Sequence, residues 1–262
     1  MIEFFKYYND ISKDIVFYNF ELSHVIALII IALVILVSLK IFSKMKQEKA
    51  RIVIRILAIV LVLVDLSHTY WMYKCGVTGF IKLLPLHICA LNIIFIPLAV
   101  FTKNKVLCEY IYAFSIIGGT FGVMFPSGVS GSYPIIHFQT IQTFIFHGLL
   151  ILIPLAQIVS KEFMPDVKNI YKVHILFLII AVLVGMLDYT FDENYMFIKY
   201  PPEVGIAEWV YNNLGIGVYS VIWGIVCLGG SLLVYVPLEM YKKKLKNKLE
   251  KNKDVKEIKQ EG

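Results

Sequence analysis

Seven apolar stretches, each close to the length of a membrane-crossing helix, constrain this chain more than any other feature. They run over roughly 22–42, 52–73, 83–101, 107–125, 135–158, 172–189 and 214–238. A hydrocarbon core of about 30 Å is crossed by about 20 mostly apolar residues in helical form. Inside lipid every backbone N–H and C=O has to find its partner within the segment, so such stretches read as helices. The expectation is an all-α, polytopic membrane protein with seven transmembrane helices. The chain is 58% hydrophobic and 17% charged, against about 45–50% and about 25% for soluble domains. That composition excludes disorder, a collagen, a coiled coil and a disulfide mini-protein. The first apolar run is too long for a signal peptide and follows no basic region, so it is expected to stay in the mature protein.

The basic residues set an orientation. With the N-terminus outside, 20 of the 25 Lys and Arg fall on the cytoplasmic side, and only Lys6, Lys13, Lys74, Lys82 and Lys199 stay outside. Positive loops face the cytoplasm, so the N-terminus is expected outside and the C-terminus in the cytoplasm of a multi-pass cell-membrane protein. Three parts follow: an extracytoplasmic segment 1–21, a seven-helix domain 22–238 and a basic tail 239–262. Most of the net charge of +6 sits in that tail, where 242–262 carry nine Lys and four acids. The remainder is nearly neutral, which argues against a nucleic-acid partner. The outer loop 190–213, with Asp192, Glu193, Asn194, Pro201, Pro202 and Glu203, reads as a connector or as a cover for an outer opening.

Polar residues within a bilayer are costly and by default mark function. Here they gather in the outer halves of the spans. Span 2 ends with Asp65, Ser67, His68 and Thr69. Span 3 enters through LLPLHICALN with His87, Cys89 and Asn92. Span 5 enters with His137, Gln139, Gln142, Thr143 and His147, and span 6 leaves with Asp188. A polar pocket open to the outer side is expected. A continuous pore would need polar residues along its full depth. Asp65 and His68, at i,i+3, share a helix face, where a carboxylate can orient a histidine. Gln139, Thr143 and His147 form one stripe. Each of these residues has a plainer reading as hydrogen-bonding glue between helices. His24 and His174 begin their spans and read as interfacial.

Four Cys with no CxxC pair suggest neither a disulfide scaffold nor a zinc ribbon. Cys108 and Cys227 lie in apolar sequence and read as small hydrophobes. Cys89 differs. Taking Pro85 as the first residue of a helix puts Cys89 near a positive helix end, which favours a thiolate. From the residues alone it is a nucleophile or a packing residue.

The segments LPLHICAL, FIFHGLLILIP and DYTFDENYMFIKYPP resemble the YwaF-type bacterial membrane proteins, related to the TMEM164 group of membrane acyltransferases. The likeness covers about residues 20–238. It implies transfer of a fatty acyl chain to or from a glycerophospholipid, with Cys89 and His147 as the catalytic pair. Membrane phospholipid and lysophospholipid would be the substrates, and no cofactor or metal is expected. On that reading Gln139, Gln142 or Asn92 supplies donors to the oxyanion, and Asp65, His68, His87, Thr143 and Asp188 support the site or bind substrate. Two alternatives stay open at this level: a metal-dependent membrane hydrolase using Asp65, His68, His87 and His147, and a non-enzymatic transporter or receptor. The sequence leaves the oligomeric state open.

Overall fold

The computed structural model describes residues 3–202 and 205–244; Glu203 and the basic tail beyond Lys244 lie outside them. Among the described residues the regular secondary structure is all helical, with no strand. The α-helices are α1 (Leu22–Lys44), α2 (Gln47–Lys74), α3 (Asn92–Thr102), α4 (Lys105–Tyr110), α5 (Ile116–Met124), α6 (Phe138–Val159), α7 (Ile170–Phe191) and α8 (Gly205–Leu233). A π-turn over Ile111–Ser115 joins α4 to α5, so Lys105–Met124 forms one rod of 20 residues. Such wide turns recur at functional sites.

Five stretches are long and apolar enough to cross a membrane: Leu22–Lys44, Lys105–Met124, Phe138–Val159, Val167–Phe191 and Gly205–Lys244. Their Ile and Val content would weaken a helix in water, but lipid leaves the backbone no other partner. On α1, Ile26, Ile29, Ile30, Leu33, Val34 and Val37 are all exposed from the protein, the face such a helix turns to acyl chains. Two of the seven expected spans are not among these five. α2 has 28 residues but is more polar, with Lys49, Arg51, Arg55, Asp65 and His68 along it, and is not among the five. The third expected span, 83–101, is not one helix.

The break has a local cause. Proline pushes the residue before it into extended backbone, and Leu84 has φ −71° and ψ 137°. A 3-10 turn at Ile81–Leu83 therefore stops at Leu84. The chain then passes through an irregular turn, in which Leu91 N–H donates to the His87 carbonyl at 2.9 Å. The helix begins only at Asn92 and has 11 residues. Pro85 is thus a helix breaker here, and Cys89 stands in the turn that leads into α3, its carbonyl accepting from Asn92 N–H at 3.1 Å.

α6 is the centre of the bundle and packs against α1, α2 and α5. The N-terminal segment folds over the end where α6 begins: Phe138 N–H donates to Phe4 C=O at 3.0 Å, and Gly131 N–H to Phe17 C=O at 2.8 Å. Trp71 Nε1 adds a bond to Phe5 C=O at 2.9 Å. We call this the N-terminal end. At the opposite, far end lies buried Glu109, 1% exposed. Its Oε1 accepts from Asp166 N–H at 2.9 Å and Asn169 Nδ2 at 3.1 Å, and its Oε2 from the Tyr235 hydroxyl at 2.7 Å.

The expected loop 190–213 is also corrected. Its second half is already helical from Gly205, with a break at Gly215 (φ 78°) that only glycine adopts without strain. Its first half is a built strap. Asp192, Met196 and Phe197 hold positive φ of 57°, 55° and 57°, a costly conformation for bulky residues. Hydrogen bonds from α8 secure it: Trp223 Nε1 donates to Met196 C=O at 2.9 Å and the Tyr219 hydroxyl to Phe197 C=O at 2.7 Å.

Candidate active site

Cys89 sits in the irregular turn between Pro85 and α3, and Asn92 holds that turn. The Asn92 Nδ2 group donates to the carbonyls of Ile88 at 3.0 Å and Cys89 at 3.2 Å. Both partners are acceptors, so the amide orientation is settled by chemistry. The donors of Asn92 are therefore engaged with the backbone, and its role as an oxyanion donor is corrected. What it leaves over is Oδ1, buried and without a partner among the described residues.

His147 lies in the middle of α6. Its Nδ1 is 2.8 Å from the Thr143 carbonyl. A carbonyl only accepts, so Nδ1 carries the proton and Nε2 keeps its lone pair. This is the tautomer a general base needs, fixed by an i,i−4 contact along the same stripe. Thr143 contributes through its backbone; its side chain is buried.

Two glycines on α5 face the thiol and the imidazole, which no hydrogen bond joins among the described residues. A Cβ on Gly118 would stand 2.9 Å from the Cys89 sulfur. A Cβ on Gly122 would overlap the His147 ring, Cδ2 and Nε2 first. Residues i and i+4 are neighbours about 5–6 Å apart on one helix face. Cys89 and His147 therefore occupy adjacent seats, staggered by about one turn. Gly119, between them, is where α5 and α6 close on each other, since a Cβ there would stand 2.8 Å from the His147 carbonyl. Small residues let membrane helices approach in this way. The late start of α3 also answers a question of depth. Had the helix begun at Pro85, Cys89 would stand near the surface and His147 about 14 Å down its own helix. Because the chain enters unwound, Cys89 lies instead against Gly118, one turn from the Gly122 seat of His147.

The other candidates are not all gathered here. Among the described residues no hydrogen bond or ion pair joins Asp65 to His68, so the expected orienting contact is absent; the His68 ring lies 6.1 Å from that of Trp71. His87 faces the strap, its ring 5.3 Å from Tyr195 and 5.6 Å from Phe197. Asp188 ends α7 and anchors the strap, accepting from Tyr195 N–H at 2.8 Å. Gln142 Nε2 lies 3.5 Å from the Val64 carbonyl, at the limit of a hydrogen bond. Gln139 has a buried Oε1 without a partner among the described residues. His137 caps α6, its Nδ1 accepting from Gln139 N–H at 3.1 Å, while His24 Nε2 donates to Val123 C=O at 2.9 Å. Both are structural. No three His, Cys, Asp or Glu among the described residues converge closely enough to hold a metal.

Outside the spans, the strap carries an ion pair, Lys199 Nζ to Asp192 Oδ1 at 2.5 Å. The lysine beside it holds the Asp192 carboxyl below the usual carboxylate range. Three residues escaped the reading of the sequence. Gly118 and Gly122 announce themselves only as a small-residue pair at i,i+4 in GGTFG. Tyr110, wholly buried with an unpartnered hydroxyl, packs its ring 4.6 Å from Phe95 at the start of the π-turn.

Neither a curated protein nor a solved structure matches the chain. The sequence model of the TMEM164 family matches residues 19–235, a range that takes in the Cys89 turn, the α5 glycines, His147 and the strap. The chain belongs to the TMEM164 family.

Proposed function

We propose that this protein is a thiol-dependent acyltransferase that moves a fatty acyl chain to or from a glycerophospholipid in the cell membrane. The observation that carries the reading is the pair of seats on α5, Gly118 for the Cys89 sulfur and Gly122 for the His147 ring. Family membership supports it. His147 Nε2 takes the Cys89 proton, directly or through one water. The thiolate adds to the ester carbonyl of a phospholipid. The tetrahedral adduct collapses, the ester C–O bond breaks, and the lysophospholipid oxygen leaves with the proton from His147. An acceptor hydroxyl then gives its proton to His147 and attacks the Cys89 thioester. The C–S bond breaks, the acyl chain passes to the acceptor, and Cys89 recovers the proton. With water as acceptor the same steps make a lipase.

In this reading all seven apolar stretches lie in the membrane, with α2 as a polar span and α3 as a half-span behind the unwound entry. The N-terminus is outside and the C-terminus inside, so the site opens to the outer leaflet. Comparative lipidomics of cells expressing wild type, Cys89→Ala and His147→Ala tests the proposal. The expected result is one acyl-lipid class altered by the wild type alone. Identical profiles in all three would overturn it.

A further inference from the structure

The far end of the bundle holds a cavity of about 160 Å³ between the ends of α2, α3, α4 and α6. Its walls include Arg51, Lys103, Lys105, Gln157 and Glu162. The charges there do not cancel. Glu162 is taken by Arg51 in a two-point contact at 2.7 and 3.0 Å. Lys103 and Lys105 have no ion-pair partner among the described residues. Gln157 is 6% exposed, and its Oε1 is buried without a hydrogen bond. A buried acceptor left alone is costly; the Cys108 thiol shares the cavity wall with Gln157 but directs its hydrogen to the Ala99 carbonyl at 3.6 Å. Two exposed lysines without an ion-pair partner and one buried acceptor without a hydrogen bond, among the described residues, thus line the cavity.

We propose that this cavity is a second site, for a glycerophosphate-type headgroup: an anionic phosphate with a hydroxyl donor beside it. The phosphate answers Lys103 and Lys105, and the hydroxyl answers Gln157 Oε1. The volume is that of about five waters, enough for a headgroup and too small for an acyl chain. The site is separate from the acyl-transfer centre, because Gln157 lies ten residues beyond His147 on α6, about 15 Å along the axis. It stands whether or not the acyltransferase reading holds.

The test is retention of lipid by the full chain, released from nanodiscs of phosphatidylcholine mixed with phosphatidylglycerol and weighed by native mass spectrometry. Wild type is expected to retain phosphatidylglycerol in preference. Replacing both cations, Lys103→Gln with Lys105→Gln, weakens that retention about 30-fold. The matching Arg pair keeps it. Gln157→Leu lowers retention of phosphatidylglycerol severalfold and leaves phosphatidylmethanol, which has the phosphate but no headgroup hydroxyl, unchanged. Displacement by soluble glycerol phosphate would identify a free phosphate ester as the occupant; failure to displace identifies a membrane lipid. Equal retention by wild type and the glutamine pair would overturn the proposal, as would loss in the arginine pair as great as in the glutamine pair.

Discussion

The two ends of the bundle treat their polar groups differently. At the far end Glu109 uses both oxygens in three hydrogen bonds, and Arg51 meets Glu162 at two points. Around Cys89 the pattern reverses. Asn92 Oδ1 is buried without a partner among the described residues, and His147 Nε2 has none among them either. Buried polar groups are nearly always paired in folded proteins. A satisfied group is doing structural work, and an unsatisfied one is held for something else. At the far end Arg55 Nε and Gln157 Oε1 are likewise buried without a hydrogen bond among the described residues, and of the two Gln157 lines a cavity.

Breaking each end should therefore give opposite phenotypes. The largest effect is expected at the pair itself. Cys89→Ala should reduce acyl transfer to background, and His147→Ala should lower it by about 10²–10⁴-fold. Neither should move the unfolding temperature much. Glu109→Leu should do the reverse. It strands the Tyr235 hydroxyl, Asp166 N–H and Asn169, and should cost about 3 kcal/mol of stability, seen as a lower unfolding temperature with activity per folded molecule retained.

Gly122→Ala sharpens the comparison next. Its Cβ displaces the His147 ring, and a misplacement of about 1 Å costs on the order of 100-fold in rate. Gly118→Ala meets only the rotatable end of the Cys89 side chain and should cost less. Both are read as turnover in protein of unchanged thermal stability.

The smallest effect concerns the strap. Asp192 has a depressed carboxyl in the folded chain. Its pairing with Lys199 is thus fully present above the ordinary value of about 3.9 and is lost as pH falls through the lower folded value. The hydrogen-exchange protection of residues 193–200, corrected for the intrinsic pH dependence of amide exchange, should be flat between about pH 5 and 8 and fall below about pH 4. A fall centred near neutrality would point to another group.

Much of this was legible in the sequence. Apolar runs of membrane length define the helices, because lipid leaves the backbone no alternative. The clustering of His87, Cys89, Asn92, Gln139, Thr143 and His147 toward one end follows from alternating helix direction. Other features depend on events that hydropathy does not register. Pro85 reads equally well as a helix start and as a helix stop, and the extended backbone at Leu84 decides between them. The buried network of Glu109 is invisible because its partners, Asp166, Asn169 and Tyr235, are far apart in sequence. The glycine seats need a neighbour before they mean anything. The strap owes its shape to Trp223 and Tyr219, which reach back from the last helix.

The central claim is that Cys89 and His147 act as one unit on the face of α5. The most direct measurement is mass analysis of Cys89 after purified protein meets a labelled phospholipid without an acceptor. The account predicts a hydroxylamine-labile acyl group on Cys89 in wild type, absent in Cys89→Ser and formed far more slowly in His147→Ala. An unmodified Cys89 in folded, lipid-bound protein, or acylation of His147→Ala at the wild-type rate, would contradict it.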